Sequence, residues 1–385
     1  MKDETLTTHA GRDIDPKIDI VNPPVIHAST VLYPSVAALA AHAQPYTYGR
    51  RGTPTTRALE GAITALEGGE VTVLLPSGLA AITCALMAAL SAGDHLLVTD
   101  SCYAPTRLFC DKLARRLGIT VSYYDPQIGA GIAALMRPET RAVFCESPGS
   151  QSFEVQDIPA IAKAAHERGA LVLADNTWAS PLFLKPLSLG ADISIQSATK
   201  YIAGHSDLML GAICAKGPAA KAVAETHGLL GQCAAPDDAY LTLRGLRTLG
   251  VRMKQHEANG LAVARWLKGR PEIEEVLHPA LPGAPGHALW ARDFTGASGT
   301  FTIILKPCSE AQIAALVDPL KLFGIGYSFG GYESLILPVN PATSRSAVPW
   351  RRGPALRLHI GREDPADLIA DLEAGFQRFK EAQGS

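Results

Sequence analysis

The sequence has no excess of charge of either sign and no pairing of its cysteines. Over 385 residues, 35 Lys and Arg stand against 37 Asp and Glu, so no surplus of cations exists to bind nucleic acid or an anionic membrane. The seven cysteines are scattered without a C-x-x-C pair, which indicates reduced thiols in the cytoplasm. The 11 histidines show neither H-E-x-x-H nor clustered spacing, so we expect no metal site.

Long apolar runs and nucleotide fingerprints are also missing. The N-terminus, MKDETLTTHAGRD, is polar and charged and therefore unlike a secretory signal. The longest uncharged, mainly apolar run, about 78–93, is short for a membrane span and predicts a buried helix. The segment GIGYSFGGYES lacks the spacing of G-x-G-x-x-G, which disfavours a nicotinamide oxidoreductase.

The chain divides into three parts by pattern. Residues 1–50 are irregular and run into PYTYGRRGTPT at 45–55, as is typical of an arm used in function or assembly. Residues 51–246 alternate short apolar strands with helices, which predicts a mainly parallel sheet covered by helices on both faces. Residues 247–385 begin with long helices and continue with a second strand set, which predicts a smaller α+β domain.

A lysine directly follows one predicted strand, in the segment ADISIQSATKYIAGHSD at 191–207. Lys200 stands there beside the hydroxyls of Ser197 and Thr199. This placement suits a lysine that forms a Schiff base with pyridoxal 5'-phosphate (PLP), because the aldehyde needs an amine of low pKa and the phosphate needs donors. Taken alone, the segment is more typical of a solvated loop lysine.

Two other strand ends supply what PLP would need. Gly78 and Leu79 open an uncharged helix whose free amides suit a phosphate, although a simple β–α turn has the same pattern. Asp175 ends the strand ALVLAD, where a carboxylate can pair with the pyridine nitrogen or cap a turn. Because ligand groups gather at the carboxyl ends of parallel strands, we expect these residues to face one cleft with Lys200.

Two further residues suit a flat cofactor and its substrate. Tyr103 follows the strand HLLVT, where it can stack on a ring or remain a half-buried loop tyrosine. Arg357 lies in ALRLHIG on the face opposite Leu356 and Leu358. Its planar fork suits a substrate α-carboxylate, and an internal Asp or Glu is the competing partner.

The chain resembles the Cys/Met-metabolism family of PLP enzymes, within the fold type I, aminotransferase-like superfamily, from about residue 20 to the C-terminus. The segments that carry this resemblance are YGRRGTPTTRALE, EGGEVTVLLPSG, ESPGS, ADNTWAS, SIQSATKYIAGHSD, LRGLRTLGVR, HPALPG, DFTGASG, YSFGGYESL and LRLHIG. The resemblance implies an α/β fold, with a mainly parallel seven-stranded-type sheet in the PLP domain and a smaller α+β C-terminal domain.

The resemblance also implies roles for single residues. It makes Lys200 the Schiff-base lysine and Asp175 the partner of the pyridine nitrogen. The implied phosphate cup consists of the amides of Gly78 and Leu79 and the hydroxyls of Ser197 and Thr199. Tyr103 would stack on the ring.

Residues of the arm and of the C-terminal domain complete the implied site. Tyr48 and Arg50 would reach the neighbouring subunit's site, which implies a dimer with shared active sites, usually paired into a homotetramer. Arg357, with Ser328 beside it, would clamp the α-carboxylate. Lys200, Tyr103 or Tyr48 would supply the proton that the leaving group needs.

Two motifs resemble the branch that breaks the β-carbon–sulfur bond of cystathionine in methionine biosynthesis. These are YSFGGYESL and ESPGS, where γ-acting members carry S-L-G-G-V-E-S-L and E-S-P-T-N-P. Phe329 and Gly228 depart from that branch, which has Trp and Tyr at these places, so substrate contacts and a pocket or subunit contact are open to change. The alternatives are a γ-lyase or γ-replacement enzyme, a broader cysteine-S-conjugate β-lyase, and a non-catalytic regulator. The presence of Lys200, Asp175 and Arg357 argues against the regulator.

Overall fold

The computed structural model describes residues 1–12 and 20–382. The strands in these residues are β1 Val71–Leu75, β2 His95–Thr99, β3 Thr120–Tyr124, β4 Thr140–Glu146, β5 Leu171–Asp175, β6 Ile193–Ser197, β7 Gly211–Ala215, β8 Ile273–Leu277, β9 Thr300–Leu305, β10 Phe323–Ile325, β11 Ser334–Val339 and β12 Ala355–His359. The α-helices are α1 Asp3–His9, α2 Val36–Ala40, α3 Pro54–Glu67, α4 Gly78–Ala89, α5 Ala104–Phe109, α6 Ile158–His166, α7 Ser180–Phe183, α8 Pro218–Leu230, α9 Pro236–Arg247, α10 Leu249–Lys268, α11 His287–Asp293, α12 Glu310–Val317 and α13 Pro365–Glu381. Shorter 3-10 helices cover Gly49–Arg51, Gly129–Leu135, Pro186–Leu189 and Pro341–Ser344, and a π-helix covers Cys110–Ala114.

The first sheet has seven strands in the order β1-β7-β6-β5-β4-β2-β3. Its neighbours from β6 to β3 pair in parallel, whereas β7 runs antiparallel to both β1 and β6. The sheet is therefore mainly parallel, as the resemblance implies. The sequence patterns do not predict β7, because GAICA is short and wholly buried and shows no alternation.

Strand β6 is positioned by different contacts on its two faces. Ile193 and Ile195 pack into one apolar cluster with residues of α4 and α8. On the other face, Ser194 and Gln196 donate hydrogen bonds to the buried carboxyl of Glu67, at the end of α3. Both faces are thus covered, so the end of β6 that leads to Lys200 is held from two sides.

The second sheet has five strands in the order β10-β11-β12-β9-β8. The pairs β11–β12, β12–β9 and β9–β8 are antiparallel, and β10 lies parallel to β11. An apolar core lies between this sheet and residues of α10, α12 and α13. The sequence predicts β9, β11 and β12 but not β8, which contains two glutamates, or β10, which has three residues.

Two short helices, α1 and α2, lie in the segment predicted to be irregular. Helix α1 is tied to its own chain, since Lys185 Nζ lies 2.9 Å from Asp3 Oδ1. Arg247 Nη1 also donates to the carbonyl of Thr7 at 2.9 Å. Residues 13–19 of the predicted arm and 383–385 of the predicted C-terminal domain lie outside the described residues. The division at 50 and 246 stays a prediction. No helix in the described part of the chain has the length and apolarity needed to span a bilayer.

Candidate active site

Lys200 lies in the connection that follows β6. Its Nζ donates a hydrogen bond of 2.6 Å to Ser328 Oγ and lies 5.1 Å from the centre of the Phe329 ring. Burial, and secondarily the charge of nearby Arg357, lowers the pKa of Lys200 to about 8, while Asp175 opposes the change. Lys200 is therefore a partly buried amine that loses its proton more readily than a surface lysine, and not the solvated loop lysine that its segment alone suggests.

Asp175 ends β5, the neighbour of β6 in the sheet. Thr177 donates two hydrogen bonds to Asp175 Oδ1, from its amide at 3.0 Å and its hydroxyl at 2.6 Å. No hydrogen bond from the described residues reaches Oδ2. Burial raises the pKa of Asp175, while the bonds from Thr177 and the charge of Lys200 oppose that rise. A cationic group placed at Oδ2 would favour the carboxylate further.

The start of α4 forms a cradle for an anion beside the end of β6. The hydroxyl of Ser77 accepts the amide of Ala80 at 3.2 Å, whereas the amides of Gly78 and Leu79 make no hydrogen bond within the described residues. A Cβ on Gly78 would lie 2.5 Å from Ser197 Oγ, so only glycine allows this close approach. Free amides at a helix N-terminus next to a hydroxyl suit a phosphate.

The hydroxyl of Thr199 is occupied in this structure. Thr199 Oγ1 donates to the carbonyl of Leu210 at 3.2 Å and accepts the amide of Leu210 at 2.9 Å. A phosphate bond from Thr199 would therefore require this pair to rearrange. The hydroxyl of Ser197 has no such partner within the described residues.

Arg357 lies on β12 and points toward Ser328. Its Nη2 donates to the carbonyl of Ser328 at 2.8 Å, and its buried Nε has no hydrogen-bond partner. No carboxylate of the described residues lies within ion-pair distance of Arg357, so the alternative of an internal acidic partner is not observed. Burial lowers the pKa of Arg357, and the nearby phenol of Tyr103 opposes that change. A buried arginine with a free donor fits a carboxylate from outside the chain.

Ser328 and Phe329 occupy the turn between β10 and β11. Ser328 has φ +102°, which is rare for a residue with a side chain and is maintained only when its surroundings hold it. Phe329 packs 5.7 Å from the ring of Tyr201, which follows Lys200 in the chain. The turn thus brings a hydroxyl and an aromatic ring to the lysine.

Tyr103 lies at the end of β2 beside a carboxyl that sequence reasoning missed. The amide of Tyr103 donates to Glu146 Oε2 at 2.7 Å. Glu146 ends β4 and is paired in register with Asp175. Burial, and secondarily Asp175, raises the pKa of Glu146 well above its usual range, so the group keeps its proton. The sequence signal that could have identified Glu146 is its position in ESPGS, at the end of the strand next to the one that ends in Asp175.

Within the described residues, no hydrogen bond or ring contact joins Tyr48 or Arg50 to Lys200 of the same chain. Tyr48 is 46% exposed, and the Arg50 guanidinium lies 5.7 Å from its ring centre. Arg50 Nη1 also donates to the carbonyl of Gly228 at 3.4 Å. A Cβ on Gly228 would overlap the guanidinium of Arg51. Arg51 therefore fills the space that a side chain at 228 would need.

Comparison with known proteins identifies the family of the chain that has this geometry. The family described as Cys/Met metabolism PLP-dependent enzymes matches residues 4–377. The chain belongs to this family. Its cofactor is accordingly PLP. The strand ends offer groups that suit PLP, namely free helix amides beside a hydroxyl, a buried carboxylate and an amine of lowered pKa. No group of three or more His, Cys, Asp or Glu in the described ranges is arranged to hold a metal ion.

Relatives within the family match over nearly the whole chain. Cystathionine β-lyase MetC of Escherichia coli is 44% identical over 389 residues, covering 98% of each chain. Cystathionine β-lyase of Salmonella typhimurium is 43% identical over 389 residues, again 98% of each. Among solved structures, cystathionine γ-synthase of Xanthomonas oryzae pv. oryzae, in complex with aminoacrylate and cysteine, has a TM-score of 0.91 and 35% identity, covering 99% of both chains.

Proposed function

We propose that this protein is a PLP-dependent carbon–sulfur lyase that cleaves L-cystathionine by β-elimination and releases homocysteine, pyruvate and ammonia. The β-lyase relatives and the motifs YSFGGYESL and ESPGS support this reaction. The observation that carries it is the convergence of Lys200 and Arg357 on Ser328. Because no carboxylate in the described part of the chain pairs with Arg357, an amino-acid substrate can supply one beside an amine that readily gives up its proton.

Arg357 would bind the α-carboxylate of the substrate through its free Nε and its Nη atoms. This contact orients the substrate so that its α-hydrogen faces Lys200 Nζ. Ser328 Oγ lies 2.6 Å from Nζ and so places the amine beside Arg357 before it engages cofactor and substrate. Arg357 and Lys200 together thus determine which bond of the substrate is presented for cleavage.

Bound PLP supplies an electron sink that makes the α-proton of the substrate acidic. Lys200 Nζ would take that proton as a neutral amine, which its lowered pKa permits near neutral pH. The protonated lysine, or the phenol of Tyr103 or Tyr48, would then protonate the departing sulfur. Burial raises the pKa of Tyr103, so this phenol keeps its proton for donation.

The cofactor itself would be held by residues from four strand ends, those of β1, β2, β5 and β6. Asp175 would pair with the ring nitrogen and Tyr103 would stack on the ring. The phosphate would bind the amides of Gly78 and Leu79 and the hydroxyl of Ser197. Thr199 would join them only after giving up its bonds to Leu210.

Tyr48 and Arg50 would complete the site of a neighbouring subunit, in dimers that pair into a homotetramer. The lack of any hydrogen bond or ring contact, among the described residues, between them and the lysine of their own chain supports this arrangement, as does the exposure of apolar residues in the same arm. Leu32 is 85% exposed and Val36 is 83% exposed, and exposed apolar side chains of this kind are usual at protein interfaces. A cytoplasmic location is proposed on the seven free cysteines.

Identification of the keto acid formed from L-cystathionine by the PLP-loaded enzyme tests the function. Pyruvate with homocysteine is the expected result. Formation of 2-oxobutyrate with cysteine would instead make the protein a γ-lyase. Pyruvate from cysteine or its S-alkyl derivatives, but not from cystathionine, would indicate that Phe329 and the filled space at Gly228 belong to a different substrate pocket. The absence of any keto acid would favour the regulator.

A further inference from the structure

Two side chains of β12 form hydrogen bonds with the backbone of the turn 328–330. Arg357 Nη2 donates to the carbonyl of Ser328 at 2.8 Å, and His359 Nε2 accepts the amide of Gly330 at 3.1 Å. Alternate residues of a strand point to one face, so the two-residue spacing on β12 matches the two-residue spacing in the turn. Arginine contributes a donor for a carbonyl, and histidine contributes an acceptor for an amide.

The connection after β6 supplies a third hydrogen bond to this turn. Lys200 Nζ donates to Ser328 Oγ at 2.6 Å. Gly330, with φ +86°, packs so closely that a Cβ there would lie 2.7 Å from the amide nitrogen of Tyr201. The turn that carries Ser328 and Phe329 is therefore fixed by contacts with Lys200, Arg357 and His359.

The imidazole of His359 is set up to accept a hydrogen bond. His359 Nε2 lies 3.1 Å from both the amide of Gly330 and the carbonyl of Gly331. A buried amide without a partner is rarer than a buried carbonyl without one, so we assign the lone pair to Nε2. Nδ1 then carries the proton and donates to Thr300 Oγ1 at 3.1 Å.

The surroundings of His359 keep this imidazole neutral. It is buried, with ring centres of Tyr201 at 5.9 Å and His256 at 5.2 Å. Burial, His256 and the cations Arg357 and Lys200 hold the pKa of His359 well below its usual range, and the nearby carbonyl of Gly331, which would favour the protonated ring, opposes them. A neutral imidazole keeps its acceptor at Nε2.

We infer that His359 is a positioning residue that keeps the turn 328–330 in place while Lys200 and Arg357 are engaged with cofactor and substrate. This inference rests on the proposed function, because that function directs the lysine and the arginine away from Ser328. Three hydrogen bonds to the turn have been described, from Lys200, Arg357 and His359. The bond between Gly330 and His359 is the one whose partner residue binds neither cofactor nor substrate. It therefore maintains Ser328 and Phe329 during turnover.

Hydrogen exchange of the PLP-loaded enzyme, measured by mass spectrometry over 326–334, tests the inference. Glycine serves as the probe, since it offers an α-carboxylate but has no β-carbon to cleave. With glycine present, exchange in wild type should stay slow, whereas His359→Leu should exchange about tenfold faster or more, as expected for one lost buried hydrogen bond. His359→Gln should restore slow exchange and most of kcat/KM, because its amide oxygen can accept the Gly330 amide.

His278→Leu is the matched control, because His278 is also buried and its Nδ1 accepts the amide of Ala280 at 3.2 Å. It should lose thermal stability without faster exchange in 326–334. If His278→Leu speeds this exchange equally, the effect is general and the inference fails. Should His359→Leu not fold, Thr300→Val, which removes the acceptor for Nδ1, replaces it and must still speed the exchange.

Failure of the inference and failure of the function are separable. If wild type forms no pyruvate from cystathionine, the proposed function is wrong. If it forms pyruvate and both His359→Leu and Thr300→Val show wild-type exchange with glycine, the function stands and the role of His359 is wrong.

Discussion

Glu67 should make the stability of this protein depend on pH, and its replacement by glutamine should remove that dependence. Its side chain is 1% exposed. Oε1 accepts from Ser194 at 2.9 Å and from Gln196 at 2.8 Å, while the buried Oε2 has no partner. Burial raises the pKa of Glu67 from 4.5 to about 7, against those two bonds and the charge of Lys185.

The sign follows from which state binds the proton more tightly. The folded protein holds it up to about pH 7, whereas the unfolded chain releases it near 4.5. The stabilising effect is therefore complete below about 4.5 and is lost as the pH rises to about 7. This difference corresponds to about 3 kcal/mol. For a chain of this length, that amounts to about 4 °C in Tm.

Glu67→Gln keeps the shape and an acceptor for the same donors but cannot ionise. Calorimetry of the PLP-loaded protein at several pH values should show the Tm of the variant, relative to wild type, rising by about 3 °C from pH 5 to 8, because part of the effect is already lost at pH 5. Glu225→Gln, an exposed helical carboxylate whose side chain is 63% exposed, is the control and should show no such trend. A difference in Tm between Glu67→Gln and wild type that stays constant over this pH range would refute the reasoning.

Three further predictions concern the site. Lys200→Ala should abolish turnover and covalent cofactor attachment, read from activity and from intact mass after borohydride reduction; near-wild-type activity would contradict the mechanism. Gly78→Ala should weaken PLP binding at least about tenfold in equilibrium dialysis, because its Cβ would meet a hydroxyl at 2.5 Å. Gly61→Ala is the control, because an added Cβ at Gly61 would meet no described atom. Equal PLP affinities of the two variants would refute a phosphate site at Gly78. Glu146→Ala should lower kcat/KM about tenfold, because the amide of Tyr103 loses its acceptor and the tyrosine loses its position. Glu146→Gln should stay within about twofold; equal effects would argue against that bond.

The strand-end residues could be predicted because parallel pairing determines where they meet. Asp175 pairs in register with Ile195 on β6, so a carboxylate ending one strand and a lysine following the next must lie near each other. The positions of Ser328 and Phe329 followed from the resemblance, since nothing in their local pattern predicts a turn with φ +102°.

The residues that were missed depend on contacts between distant segments. His359 reads as a core histidine in a strand, and its partner Gly330 lies 29 residues away. Glu146 reads as an ordinary strand end, because its bond to Tyr103 spans 43 residues. The engagement of Thr199 with Leu210 depends on β7, which the sequence pattern does not predict. Tertiary pairing, and not local propensity, assigns each of these roles.

The reversed direction of β7 has a consequence for how this family can diversify. A link between parallel neighbours must travel back across the sheet, whereas residues 198–210 leave β6 and enter β7 at the same edge. Thr199 and Leu210 close the base of this loop, and its tip, 205–207, is exposed. The tip can therefore lengthen without disturbing the pair of hydrogen bonds between Thr199 and Leu210, which lies directly beside Lys200. Length can in this way vary next to the lysine without any change in the sheet.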